Sequence, residues 1–126
     1  MQYALIIQEG EEQLANRQRP DDAMWPPWRA YHQALVEAGV YVGGRALQGS
    51  DTGTVVRVRG GERLVQDGPY ADTKEQLAGF LVIEVPSLDV ALEWASRCPA
   101  AAYGAVEVRP VADVTAIFGV IIPTGL

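Results

Sequence analysis

Apolar and polar positions fall in short blocks along this chain of 126 residues. Tyr3-Ala-Leu-Ile-Ile-Gln8 is an apolar run with branched side chains, closed by Glu9-Gly10, and reads as a buried strand. Glu9 to Asp22 is polar and reads as a loop, with Asp21 or Asp22 placed to cap a following helix. Pro26 and Pro27 fit only the first turn of that helix, where a missing N–H costs nothing. Trp28, Tyr31, Leu35 and Ala38 recur on one helical face, so the spacing predicts a helix over Trp25 to Ala38, ended by Gly39. Val40 to Leu47 returns as a strand, and the paired Gly43-Gly44 inside it points to a bulge or a close backbone approach.

Thr54 to Arg59 alternates branched apolar and basic residues, and Gly60-Gly61 joins it to Glu62-Arg-Leu-Val-Gln66. That is the pattern of a hairpin. Asp67-Gly68-Pro69-Tyr70 has turn composition. Gly79 to Val85 is the most hydrophobic strand. Ser87 then caps a second helix whose apolar face carries Val90, Ala91, Trp94, Ala95 and Cys98, and Pro99 ends it. Ala105 to Arg109 is a last core strand, stopped by Pro110.

The order is β-α-β, hairpin, β-α-β. It predicts an α+β, ferredoxin-like unit over residues 1–112, with an antiparallel sheet and two helices on one face. Phe80 to Val85 is apolar on both sides, so the second sheet face is also partly apolar and needs a partner; a homodimer is the expectation. The tail, 113–126, holds an uncharged, β-branched run from Val114 to Ile122. Exposed, it would be an aggregation hazard, so it is expected to dock on its own domain or across the dimer.

Charge narrows the function. The net charge of −6 argues against nucleic acid and against an anionic membrane as partner. One cysteine and one histidine exclude an internal disulfide and a structural zinc site. No apolar run approaches a membrane span, and Met1 to Gln8 lacks a signal-peptide pattern, so a cytoplasmic, bacterial protein is expected. Gly60-Gly61 precedes no helix, which fails the phosphate-loop context, and no cofactor is expected.

Four stretches in order now carry a resemblance. They are Gly43-Gly44-Arg45-Ala46-Leu47, Asp67-Gly68-Pro69-Tyr70, Asp72-Thr73-Lys74-Glu75-Gln76 with Gly79, and Glu107-Val108-Arg109-Pro110. Over residues 1–112 the chain resembles the YCII-related, DGPF-motif family, with Tyr70 where the signature has Phe. The resemblance implies a dimeric α+β barrel, two ferredoxin-like sheets packed face to face. It further implies either small-molecule lyase chemistry with a His-Asp pair or a regulatory link to an extracytoplasmic-function sigma factor. The histidine of shorter relatives falls nearer Trp28 than His32.

Candidate site residues follow. Asp67, at a strand end beside a cleft, is the candidate acid or base if burial raises its pKa; the alternative is a carboxylate that shapes the Gly-Pro turn. Tyr70 is a proton relay or an interface aromatic with a wet tip. His32 is an acid–base partner of Asp67 or a boundary residue of the helix. Arg45, beside Gly44, binds a ligand carboxylate or pairs with one of the acids. Thr73 bonds a ligand or its own turn. Trp28 lines an aromatic pocket or packs in the core. Cys98 reads as an inert, buried thiol. Two functions stand: a small enzyme or binder of a small aromatic or carboxylate ligand, with lyase or isomerase chemistry, and a non-catalytic regulatory module.

Overall fold

The structure, a computed structural model, describes residues 1–120. Four strands form one antiparallel sheet: β1 (Gln2–Gly10), β2 (Tyr41–Ala46), β5 (Glu75–Glu84) and β6 (Ala105–Pro110), in the order β2-β5-β1-β6. Between β2 and β5 the chain makes a short 3-10 turn at Ser50–Thr52 and then the hairpin β3 (Thr54–Arg59) and β4 (Glu62–Asp67). With that hairpin set aside, the β-α-β-β-α-β order and its strand arrangement are ferredoxin-like, as expected.

The hairpin forms as read, with Arg59 opposite Glu62. Gly60 and Gly61 both have positive φ, 58° and 78°, which the tight turn matching the strand twist demands. It does not join the main sheet but forms a two-stranded sheet of its own, exposed along the whole of β4.

Strand β1 alternates strictly. Tyr3, Leu5, Ile7 and Glu9 are buried, while their neighbours are half-buried on the opposite face. Helix α2 (Trp25–Glu37) lays Trp28, Tyr31 and Leu35 into the core, on the helical spacing read from the sequence. Asp22 does not cap it. Its Oδ1 accepts from Met24 N–H at 2.9 Å and holds the preceding turn. Helix α3 (Leu88–Arg97) is capped by Ser87, whose Oγ accepts from Val90 N–H, and buries the small Ala91 and Ala95. Pro99 ends α3 but also starts a further short helix, α4 (Ala100–Tyr103), that the sequence reading did not contain. Leu5, Leu35 and Ile83 are fully buried at the centre. Each contributes ~1.5–3 kcal/mol by burial.

The stretch read as a loop from Glu9 to Asp22 is partly wrong. Strand β1 runs to Gly10, and Glu11–Asn16 is helix α1, which buries only Leu14. One apolar anchor in six residues is too little periodicity to show as a helix.

The opposite sheet face pairs Ala4 with Val82 and Ile6 with Phe80, beside Glu107 and Arg109 on β6. It is partly apolar, as read. In the tail, Val114–Phe118 forms the short helix α5, with Ile117, Phe118 and Val120 exposed. The expectation for 121–126 lies outside the described residues. No helix among the described residues is long and apolar enough to cross a membrane.

Candidate functional site

A cleft of about 380 Å³ opens between α2 and the sheet where β2 meets β5. That is the size of small-molecule sites, ~300–1,000 Å³. Helix α2 contributes Trp25, Trp28, Arg29 and His32; the sheet contributes Ile7, Gly44 to Ala46 and Ala78 to Leu81; Arg17 and Pro20 close one side. The Gly43-Gly44 pair shows both features read from it. The β2–β5 register shifts between Tyr41 and Gly43, and Gly44 lies against the backbone of β5. A Cβ on Gly44 would meet the Phe80 carbonyl and stand 2.9 Å from Leu81 Cδ2, so only glycine lets the two strands close here.

Beneath the cleft lies a buried polar network that the sequence reading missed. Glu9 is fully buried at the end of β1. Arg17 Nε donates to its Oε1, and the Tyr103 hydroxyl donates to its Oε2 at 2.6 Å. Trp28 Nε1 donates to the Tyr103 oxygen at 2.9 Å. The Arg17 guanidinium carbon lies 5.5 Å from the Trp25 ring centre and 5.8 Å from that of Trp28, so the cation sits between two indole faces. One signal for Glu9 was available. The two-residue period of Tyr3, Leu5 and Ile7 continues to Glu9, placing a carboxylate on the buried face, where it demands a cationic or hydrogen-bonding partner. Nothing in the sequence pointed to Tyr103, which reaches Glu9 from a helix only one turn long.

The electrostatics of the cleft oppose those of the chain. The protein carries a net charge of −6, yet the ionisable residues lining this cleft are Arg17, Arg29, Arg45 and His32, with no acid among the described lining residues. His32 is half-buried, its ring 6.3 Å from that of Trp28 and 5.7 Å from that of Tyr41. Burial holds its imidazole below the ordinary histidine value, so it is neutral and able to accept a proton at pH 7.

The candidate residues thus divide. Trp28, His32, Gly44 and Arg45 share the cleft. Arg45 is exposed, and its Nη1 donates to the Gly44 carbonyl at 2.6 Å; the ion pairs among the described residues do not include it. Asp67, Tyr70 and Thr73 do not line it. Asp67 is exposed at the end of β4 and accepts from Thr54 Oγ1 at 3.3 Å. Tyr70 is 79% exposed, with Arg57 over its ring at 5.4 Å. The Thr73 hydroxyl donates to the Glu75 carbonyl at 2.6 Å, a local turn bond, and Thr73 borders a second, more polar cleft with Asp72, Lys74 and Gln18. Cys98 is buried, and burial pushes its thiol up to about 11.

Comparison with known proteins agrees with the fold. The solved structure of 5-chloro-2-hydroxyhydroquinone dehydrochlorinase (TftG) from Burkholderia phenoliruptrix AC1100, in complex with 2,5-dihydroxybenzoquinone, superposes with a TM-score of 0.54. It is 17% identical, over 89% of this chain and 94% of that one. An uncharacterised protein of Rhizobium meliloti (strain 1021), R00369, is 36% identical over 115 residues, 89% of this chain and 93% of its own length. The YCII-related domain matches residues 1–115, and with that match and the relative from Rhizobium the chain belongs to the YCII-related family.

Proposed function

We propose that this protein binds a small aromatic molecule in the cleft between α2 and the β2–β5 edge, and that His32 moves a proton on it. The observation that carries the reading is the lining itself. Trp25, Trp28 and Leu81 offer apolar and aromatic walls around a half-buried, neutral imidazole. Lyase or isomerase chemistry needs only such an acid–base group, and the dehydrochlorinase that shares this fold is in complex with a dihydroxybenzoquinone, a ring of suitable size. The cleft is built without Asp67, so the proton-transfer role is assigned to His32.

The protein acts as a homodimer in this reading, formed through the open sheet face around Ile6 and Phe80. Light scattering on an Ile6→Lys variant, expected to be monomeric, tests that part.

A thermal-shift screen of wild type against hydroxylated and carboxylated aromatics tests the site. A ligand at a hundred times its Kd adds about 2.7 kcal/mol to the native state and raises the Tm. His32→Gln should keep the shift and abolish any turnover of the hit. A panel that moves no Tm, or a hit that His32→Gln converts as fast as wild type, sinks the corresponding half of the reading.

A further inference from the structure

We propose that Arg17 recognises a carboxylate on the cleft's ligand, and that Glu9 and Tyr103 are positioning residues that aim it. This rests on the reading of the cleft as an aromatic-ligand site and names the anionic group that the ligand must carry. The Nε edge of the guanidinium is committed to Glu9 Oε1. Neither Nη has a hydrogen-bond partner among the described residues. No buried side-chain nitrogen or oxygen among them is left unpaired, so the Nη atoms, unpaired, are not sealed in the core. Arg17 lines the cleft, so a ligand there can reach the guanidinium edge that Glu9 leaves uncommitted. Two parallel N–H donors in a plane match the two oxygens of a carboxylate.

The surroundings fix that edge in direction. The Arg17 side chain is 8% exposed, with the rings of Trp25 and Trp28 beside it. Glu9 cannot swing away, because Tyr103 holds its other oxygen and Trp28 holds Tyr103. Glu9 cancels the Arg17 charge, but Arg29 and Arg45 leave the cleft rim positive with no competing acid. A ligand carboxylate therefore meets both a geometric match and a favourable field.

The test measures binding of salicylate and its neutral isostere salicylamide by calorimetry. Wild type should prefer salicylate by about ten-fold or more, the expected worth of a charge-assisted pair. Side-chain nitrogen NMR should show the Arg17 signals shifting with salicylate and not with salicylamide. Arg17→Lys should lose most of the preference. The double variant Glu9→Leu/Arg17→Met replaces the buried pair by apolar groups and keeps the fold, checked by circular dichroism. It should bind the two ligands equally. Tyr103→Phe should weaken salicylate several-fold and leave salicylamide alone, which a merely structural role would not do. Equal wild-type affinities, unmoved Arg17 signals, or a preference that survives in the double variant overturn the inference while leaving the aromatic site standing. Binding of neither ligand to the cleft overturns both.

Discussion

The Tyr103 hydroxyl donates to Glu9 Oε2 at 2.6 Å, joining residues 94 positions apart. With Trp28 above and Arg17 on the other oxygen, the bond ties α4, α2, the end of β1 and the segment after α1 into one buried polar knot. Burial first, and then the bond to Glu9, holds the Tyr103 hydroxyl well above its usual range, so it remains a donor across the physiological range. A fully buried carboxylate is tolerated only while paired. Arg17→Met alone should therefore cost ~3–5 kcal/mol, because it strands Glu9. Tyr103→Phe should cost ~1.5–3 kcal/mol, the range for a hydrogen bond to a charged group. Urea denaturation with an unchanged m-value checks both.

Gly44→Ala is a packing test of the cleft wall. The new methyl would press on the Phe80 carbonyl and on Leu81, and a backbone oxygen inside a sheet cannot rotate aside. The expected cost is ~1–3 kcal/mol, with the β2 edge displaced from β5 and aromatic ligands lost from the cleft. A variant with wild-type Tm and wild-type ligand shifts would mean that the strands separate without cost.

Most of the fold was legible because its signals are local. The Trp28-Tyr31-Leu35 spacing, the Ser87 cap, the Gly60-Gly61 turn and the alternation in β1 each depend on residues a few positions apart. The elements that escaped, α1 and α4, are six and four residues long, and each buries one side chain, Leu14 and Ala100. Their stability comes from tertiary contacts, which leave no period in the sequence. The site was legible in the same proportion. His32 and Trp28 share the face of one helix, and Gly44 with Arg45 share one strand, so their meeting needed only α2 to cover β2. Arg17 and Tyr103 come together only through Glu9, a contact between distant segments. Turn composition made Asp67 prominent, but composition carries no information about which cleft a turn faces.

His32 gives the protein a pH dependence of definite sign. Burial lowers its folded pKa below its unfolded value, so between the two values the unfolded chain binds more protons. Its contribution to stability is thus intact above the unfolded value, ~6.5, and is lost as pH falls from there through the folded pKa. Solvent access screens the effect, and His32→Gln should flatten this part of the stability profile without moving the profile above pH 7. Thermal melts of both proteins from pH 5 to pH 8 read this directly. An identical acid-side slope in the variant would assign the loss to carboxylates instead.

Asp67 provides the contrasting case. It is exposed, it ends β4 opposite Thr54, and its side chain accepts from that threonine's hydroxyl. Its backbone leads directly into Gly68, whose N–H donates to the Gly53 carbonyl at 2.8 Å and closes the base of the hairpin. Asparagine keeps the side-chain acceptor at this position, so Asp67→Asn should change stability by no more than about 0.5 kcal/mol, the usual range for surface substitutions. Ligand binding in the cleft, which other residues line, should be unchanged in the same variant. Paired titrations of wild type and Asp67→Asn with a cleft ligand check this. A large loss of affinity in a variant that remains folded would bring Asp67 back to the chemistry, and would call for a second copy of the chain whose hairpin reaches this cleft.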